Sequence, residues 1–333
     1  MVILLSKPIF EDCELKGVLF FMQDITLKKS VTALEAAAIV IGMVIGSSIF
    51  LKPSIVLKSA GTASMSILAW VAGGIITLAS ALTVAELAAA IPKEGGLYTY
   101  LSDLYGNVWG FLLGWVQTII SYPASVAAQA IAFSTYACFF IPNLSNNIME
   151  QKLLGIGVLL FILIMNIIAT KCGGVIQTLA TFGKLIPIAA IIAVGLISNA
   201  APGFSGIHAT TASNVSFGAA ILGTLWAYDG WISVTNMAGE LKNPAKTLPK
   251  VISIGLIFVI AVYVLFNLVI FKVLPHDAIL ATATPGGDAA EALFGKIGGT
   301  FLTIGILVSV FGALNGYFFS APKAWGTLAA VIK

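Results

Sequence analysis

A chain of 333 residues in which 59% are hydrophobic and only 9% are charged lies far outside the composition range of soluble globular proteins. The net charge of +3 rests on lysine as the only strongly basic residue, since the sequence contains no arginine. This composition excludes a soluble fold and predicts an all-α polytopic membrane protein with no nucleic-acid partner.

Residues 1–26 are predicted to form a segment separate from the membrane domain. The start of the chain lacks a signal-peptide pattern, because Glu11, Asp12 and Glu14 interrupt its apolar run. Met22 begins MQDITLKKS, a polar and basic lead into the first span, which favours translation starting at Met22.

Long uncharged segments then recur along the chain, each with the ~20 residues that an α-helix needs to cross a bilayer. We predict eight spans, numbered 1 to 8 in chain order: about 33–58, 66–91, 107–141, 152–171, 175–198, 216–240, 249–275 and 296–322.

The lysines between these spans are distributed unevenly, which predicts an orientation. With a cytoplasmic N-terminus, the inner lysines outnumber the outer ones, as the positive-inside rule requires. The inner set is Lys28, Lys29, Lys93, Lys171, Lys242, Lys246, Lys250, Lys323 and Lys333, and the outer set is Lys58, Lys152, Lys272 and Lys296. We therefore predict an integral protein of the cell membrane with its N-terminus inside.

Span 1 carries helix-weakening residues near its middle, in the run IVIGMVIGSSIF. Gly42 and Gly46 form a GxxxG pattern, for which close helix packing is the alternative explanation. The serine pair Ser47 and Ser48 favours an interruption instead. We predict a break at residues 46–48, with a second half-helix starting near Ile49.

Span 6 carries a matching interruption, because Asp229 and Gly230 lie near the centre of an otherwise apolar segment. The two interruptions are five spans apart, the offset of a five-plus-five inverted repeat. We predict a break at residues 227–230. Asp229 is predicted to cap the following half-helix, and a direct functional role is the alternative.

Two facing breaks would expose main-chain groups that only a polar ligand, water or protein can satisfy within a membrane. Free N–H groups at the first break suit a carboxylate. Free carbonyls of Trp226, Ala227 and Tyr228 at the second suit an ammonium group. The pair of sites describes a zwitterion, the head group of an amino acid.

Several other polar or aromatic residues within the spans are candidates for the site. Lys184 in span 5 is either a structural donor to helix-end carbonyls or a fixed or titratable cation that replaces a coupling sodium ion. Tyr122, Gln129, Trp231 and Asn315 are candidates for the cavity lining, with helix-to-helix packing as the alternative. No nucleophile with a base, metal-ligand cluster or phosphate loop is evident, so we expect no enzyme, metal or cofactor.

Five sequence motifs resemble one transporter superfamily. They are GMVIGSSIF in span 1, AELAAAIPKEGGLYTYL after span 2, GKLIPI in span 5, WAYDGW and the later ELKNPAKTLPK around span 6, and LNGYFFSAPK in span 8. Over Leu27 to about Lys323 the chain is similar to the amino acid, polyamine and organocation superfamily. Within it, the chain resembles the L-type amino acid transporters and their bacterial serine/threonine or alanine/serine/cysteine exchanger relatives.

The resemblance implies a LeuT-like inverted-repeat fold with spans 1 and 6 broken, and an amino acid permease domain over residues 27–333. It implies a bacterial source and, because no cysteine lies between spans 3 and 4, no disulfide-linked heavy-chain partner. Lys184 stands where sodium-coupled relatives hold an ion. The implied substrate-binding positions are Ile45, Gly46, Ser47 and Ser48, together with Trp226, Ala227, Tyr228, Asp229 and Gly230.

The chain departs from the family pattern at two points. Ser48 replaces the second glycine of a GSGIF or GAGIF motif, so we expect altered or weakened binding. Only about 8 of 12 family spans are present, which indicates a fragment or a truncated gene. The favoured function is exchange of neutral, small L-amino acids by alternating access. The alternatives are a proton-coupled amino acid symporter and a truncated, transport-inactive membrane protein.

Overall fold

The computed structural model describes residues 32–91, 93, 95–141, 143–144, 147–168, 173–198 and 215–331. The predictions on the N-terminal segment and Met22 lie outside these residues. Within the described residues every regular element longer than a single bridge is helical, as the sequence predicts.

The helices follow the predicted spans closely. In chain order they are α1 Ala33–Val44, α2 Ser48–Ala60, α3 Ala63–Ala90, α4 Leu97–Tyr105, α5 Asn107–Val116, a π-helix Gln117–Ser121, α6 Tyr122–Ala137, α7 Ile148–Ile168, α8 Gly173–Ile197, α9 Phe217–Ala227, a 3-10 helix Trp231–Glu240, α10 Pro244–Val273, α11 His276–Ala281 and α12 Pro285–Val331.

Six of the described helical segments are long and apolar enough to cross a membrane, and the bent pair α1 and α2, at 42°, supplies a seventh. Span 6 is the predicted span that is absent from this count. There α9 has 11 residues and the 3-10 helix has 10, so each is too short to cross alone. The predicted interruption is the physical reason for this difference.

Local sequence signals explain where several helices begin and end. Thr32 and Glu35 form a capping box at the start of α1, each side chain bonding the other's main-chain N–H. At the end of α2, Gly61 adopts the left-handed conformation that glycine tolerates best. Thr62 then accepts a hydrogen bond from the N–H of Met65 and starts α3. The chain thus reverses between spans 1 and 2 in two residues.

Span 3 contains a π-helical turn that the sequence analysis did not predict. It covers Gln117–Ser121 and stands just before Pro123, which has no N–H to donate. Single π-helical turns occur frequently at functional sites. This one immediately precedes Tyr122, a residue that contacts the 3-10 helix of span 6.

The amphipathic segment after span 2 forms the short surface helix α4, in the region where the sequence predicts it. Gly96 precedes α4 with φ +54°, and a Cβ there would lie 2.3 Å from the side-chain oxygen of Asn236. This close approach packs the start of α4 against the 3-10 helix. Lys93 and Asp103 form a 2.7 Å ion pair across the same turn.

The core of the described chain surrounds the two broken spans. In the most apolar stretch of α10, 56% of residues are buried, against 6% for span 3 and 11% for α7. Span 8 lies within α12, which is interrupted at Gly295 with φ +69°, next to the predicted start at residue 296. Spans 5, 7 and 8 therefore enclose the breaks, and spans 3 and 4 expose most of their surface.

Candidate functional site

The first break interrupts span 1 between Val44 and Ser48. The N–H of Gly46 turns back to the Val44 carbonyl at 2.9 Å, and the N–H groups of Phe50 and Leu51 bond the Ser47 carbonyl. The break therefore covers residues 45–47, one residue earlier than predicted. Ser48, and not Ile49, starts the second half-helix, because the Ser47 carbonyl already accepts its first hydrogen bonds.

The second break interrupts span 6 between Ala227 and Trp231. Gly230 has φ +110°, and a Cβ there would lie 3.0 Å from the carbonyl oxygen of Met43. Few side chains tolerate that conformation, and none would fit so close to the main chain. The two breaks are therefore in direct contact, as the interpretation of a shared site requires.

Three side chains from other spans satisfy the carbonyls released at the first break. The Lys184 ammonium donates to the carbonyls of Gly42 and Ile45, the latter at 2.5 Å. Ser309 in span 8 lies 3.3 Å from the Ile45 carbonyl, and Tyr263 in span 7 donates to Val44 at 2.7 Å. The acceptors at this break are consequently occupied.

The donors at the first break are less well satisfied. The Ser47 N–H donates to the side-chain oxygen of Gln129 over 3.4 Å. Within the described residues, the N–H groups of Ser48 and Ile49 have no acceptor at hydrogen-bond distance. Free N–H groups at the start of a half-helix attract a negative group such as a carboxylate.

Carbonyls at the second break have donors within the protein. The Trp226 carbonyl accepts from the N–H of Asp229 at 3.3 Å. The Ala227 carbonyl lies 3.1 Å from the Tyr263 hydroxyl and 3.3 Å from the Ser48 hydroxyl. An ammonium group that bound Ala227 would therefore replace an internal donor.

A small cavity of ≈20 Å³ lies between the breaks. That volume holds about one water molecule, so an amino acid needs the site to open. The lining residues are Met43, Val44, Ser48, Ser125, Gln129, Trp226, Ala227, Asp229 and Tyr317.

Five of these lining residues are among the sequence-predicted candidates: Ser48, Gln129, Trp226, Ala227 and Asp229. The sequence analysis missed the other four, which are Met43, Val44, Ser125 and Tyr317. Ser125 is four residues before Gln129 and three after Tyr122, a spacing that places all three on one helix face. That spacing is the signal that could have identified Ser125.

Three candidates for the cavity lining lie elsewhere. Asn315 accepts a 2.9 Å hydrogen bond from Asn166 in span 4, so it joins two helices. Trp231 is 8% exposed and packs in the core. Tyr122 accepts a hydrogen bond from Asn236 and packs its ring against Tyr317, which places it behind the lining.

The tyrosine at the second break contributes packing through its side chain. Tyr228 donates a 3.0 Å hydrogen bond to the Trp70 carbonyl, and its ring lies 5.0 Å from the ring of Tyr263. Only its main chain lies at the break. Its proposed carbonyl contact with an ammonium group stays a prediction.

Asp229 occupies a different position from the predicted helix cap. Gly230, the residue after Asp229, takes the N-cap position of the 3-10 helix in a left-handed conformation. The Asp229 side chain is exposed and lines the cavity. The carboxylate thus belongs to the cavity lining.

Lys184 is fully buried, and among the described residues no carboxylate lies within ion-pair distance of it. Its ammonium group bonds main-chain oxygens at the bend of span 1. Carbonyl oxygens are also what a sodium ion would bind at an unwound helix. Both predicted interpretations of Lys184, structural donor and fixed cation, are compatible with this geometry.

No cluster of metal ligands occurs among the described residues.

Comparison with known proteins agrees with the observed architecture. Residues 31–329 match the family model described as amino acid permease. The chain is 46% identical over 306 residues to the serine/threonine exchanger SteT of Bacillus subtilis, covering 90% of this chain and 68% of that protein.

Two animal relatives are more distant. The human Asc-type amino acid transporter 1 is 31% identical over 90% of this chain and 58% of its own length. The mouse b(0,+)-type amino acid transporter 1 is 32% identical over 90% of this chain and 62% of its own length. The chain thus spans about two thirds or less of these relatives. The match across most of its residues establishes that the chain belongs to the amino acid permease family.

Proposed function

We propose that this protein exchanges neutral, small L-amino acids across the cell membrane by alternating access. The substrate carboxylate binds the free N–H groups of Ser48 and Ile49, and the ammonium group binds carbonyls at the second break. The observation that carries the proposal is the cavity where both breaks meet, with Ser48, whose N–H is unsatisfied, in its wall.

The similarity to a serine/threonine exchanger supports small neutral substrates. The size of the cavity supports a site that opens to load and closes around its ligand. No covalent step is involved, and the proposed activity needs no cofactor.

Lys184 acts in this proposal as a fixed cation in place of a sodium ion. Its position at the bend of span 1, bonded to Gly42 and Ile45, supports this role. Release of its proton during the cycle would instead give a proton-coupled symporter, which is the second candidate function.

The orientation and the partners are also part of the proposal. The lysine distribution supports a cytoplasmic N-terminus in a bacterial cell membrane. The absence of a cysteine between spans 3 and 4 is the basis for expecting no disulfide-linked heavy chain.

Proteoliposomes test the exchange directly. Purified protein is reconstituted into vesicles loaded with unlabelled L-serine or left empty, and uptake of radiolabelled L-serine is measured. We expect saturable uptake that is several times faster into loaded vesicles. Equal uptake into loaded and empty vesicles contradicts obligatory exchange.

Two further conditions separate the alternatives. Uptake that collapses when a protonophore dissipates an imposed pH gradient indicates the symporter. Absence of uptake, together with absence of L-serine binding to the purified protein, indicates a transport-inactive protein. The Gly157→Ala variant serves as a control that should behave like wild type in these assays, because a Cβ there meets nothing within 4 Å.

A further inference from the structure

The Ser48 side chain crosses from one break to the other. Its hydroxyl lies 3.3 Å from the Ala227 carbonyl of span 6 and 3.3 Å from the Tyr263 hydroxyl of span 7. Tyr263 in turn reaches the carbonyls of both Val44 and Ala227. All four residues are at most 5% exposed, so water does not compete freely for these groups.

The number of hydrogens limits how these groups can pair. The two hydroxyls carry one hydrogen each. The shortest contact, 2.7 Å, assigns the Tyr263 hydrogen to the Val44 carbonyl. The Ser48 hydroxyl is then the donor left for the Ala227 carbonyl, and a glycine or alanine at position 48 could not replace it.

We propose that the Ser48 hydroxyl is a built-in substitute for the substrate ammonium group, occupying the Ala227 carbonyl whenever the site is empty. Binding of an amino acid displaces this hydroxyl, and the residue at position 48 thereby sets substrate affinity. This inference rests on the proposed function, because it assigns the ammonium group to the second break.

The displacement is favourable because a charged N–H donor bonds a carbonyl more strongly than a hydroxyl does. The loss of the internal hydrogen bond between Ser48 and Ala227 nevertheless weakens the net binding of the amino acid. The side chain also stabilises the empty protein selectively, because the bond to Ala227 exists only without ligand. A residue with a purely structural role would stabilise the empty and occupied proteins equally.

The test compares Ser48→Ala with wild type, with Ser48→Thr, which retains a hydroxyl, and with Ser54→Ala. Ser54 lies on the same half-helix, and its hydroxyl bonds the Leu51 carbonyl one turn earlier. Binding of L-serine is measured by calorimetry on the purified protein, and thermal unfolding is recorded with and without saturating L-serine.

We expect Ser48→Ala to bind L-serine about two- to tenfold more tightly, the factor that corresponds to one net hydrogen bond. We expect its unfolding temperature to fall without L-serine and to recover with it, giving a larger ligand-induced shift. Ser54→Ala should keep the wild-type affinity and the wild-type shift. Ser48→Thr, which retains a hydroxyl for the Ala227 carbonyl, should bind L-serine less tightly than Ser48→Ala does.

Unchanged or weaker binding by Ser48→Ala, with wild type binding normally, overturns this inference and leaves the proposed function standing. A Ser48→Ala variant that loses equal stability with and without L-serine also overturns it. If wild type and Ser54→Ala both bind no L-serine, the proposed function fails and the inference fails with it.

Discussion

The two breaks are held open in different ways. At the first break, a lysine ammonium from span 5 and hydroxyls from spans 7 and 8 occupy the carbonyls, which leaves N–H groups available. At the second break, a left-handed glycine makes the turn, and the Ser48 hydroxyl lies 3.3 Å from the Ala227 carbonyl. One break is thus fixed by a buried charge, whereas the other depends on backbone geometry and neutral hydrogen bonds.

The largest effect should come from removing the charge at the first break. The Lys184 ammonium bonds the Gly42 carbonyl because the Gly46 N–H bonds Val44 instead. Lys184→Met therefore leaves the Gly42 carbonyl buried without a donor, at a cost of ~1–3 kcal/mol for each unsatisfied group. We expect a markedly lower unfolding temperature and no exchange of L-serine in proteoliposomes.

Lys184→Gln separates charge from hydrogen bonding, because an amide donates to carbonyls without carrying a charge. It should regain part of the unfolding temperature but not the exchange. Normal exchange by either variant would contradict the role of Lys184 as a fixed cation.

Gly230→Ala should strongly disturb the second break. The added Cβ meets the Met43 carbonyl at 3.0 Å in a backbone conformation that alanine rarely adopts, which costs ~1–3 kcal/mol. We expect a lower unfolding temperature and at least tenfold weaker L-serine binding. A stable Gly230→Ala variant with wild-type affinity would show that the second break does not need this glycine.

Gly96→Ala should have a smaller effect, limited to the contact between α4 and the 3-10 helix. Its Cβ would lie 2.3 Å from the side-chain oxygen of Asn236 and 2.6 Å from the hydroxyl of Thr235, so these two side chains rather than the main chain would have to shift. Gly106→Ala is the matched control, because Gly106 also has positive φ, +96°, but meets nothing within 4 Å.

Thermal unfolding and L-serine exchange of these two variants separate close approach from backbone strain. We expect only Gly96→Ala to slow exchange, with similar small losses of stability in both. Equal exchange rates would rule out a transport role for the contact with Asn236.

The smallest effect concerns the half-helices next to the breaks. The Lys52 ammonium on α2 lies 4.2 Å from the ring centre of Trp226 on α9. Lys52→Met should lower the free energy of unfolding by ~0.5–1 kcal/mol, the size of a cation–π contact. Lys58→Met on the same helix is the control, since Lys58 is exposed.

Trp226→Leu should abolish the difference between Lys52→Met and wild type, because the partner ring is then absent. A double-mutant cycle that gives no coupling between positions 52 and 226 would show that the contact contributes nothing.

Much of the fold was predictable because bilayer-length apolar segments and glycine-rich interruptions are properties of local sequence. The positions of both breaks followed from Gly46 and Gly230 to within a residue or two. The bonding partners did not follow, because Tyr263, Ser309 and Ser125 are isolated polar residues in otherwise apolar spans. Such residues join helices as often as they line cavities, as Asn315 illustrates by bonding Asn166.

The sequence by itself determined the class of protein, the order of its apolar segments, and the places where two of them are interrupted. Hydrophobic length and the weak helix preference of glycine act within one segment, so they need no knowledge of the fold. Only the tertiary structure decided which main-chain groups at the breaks stay free. That outcome depends on donors brought from spans 5, 7 and 8, because a carbonyl is satisfied by whichever side chain the packing places beside it.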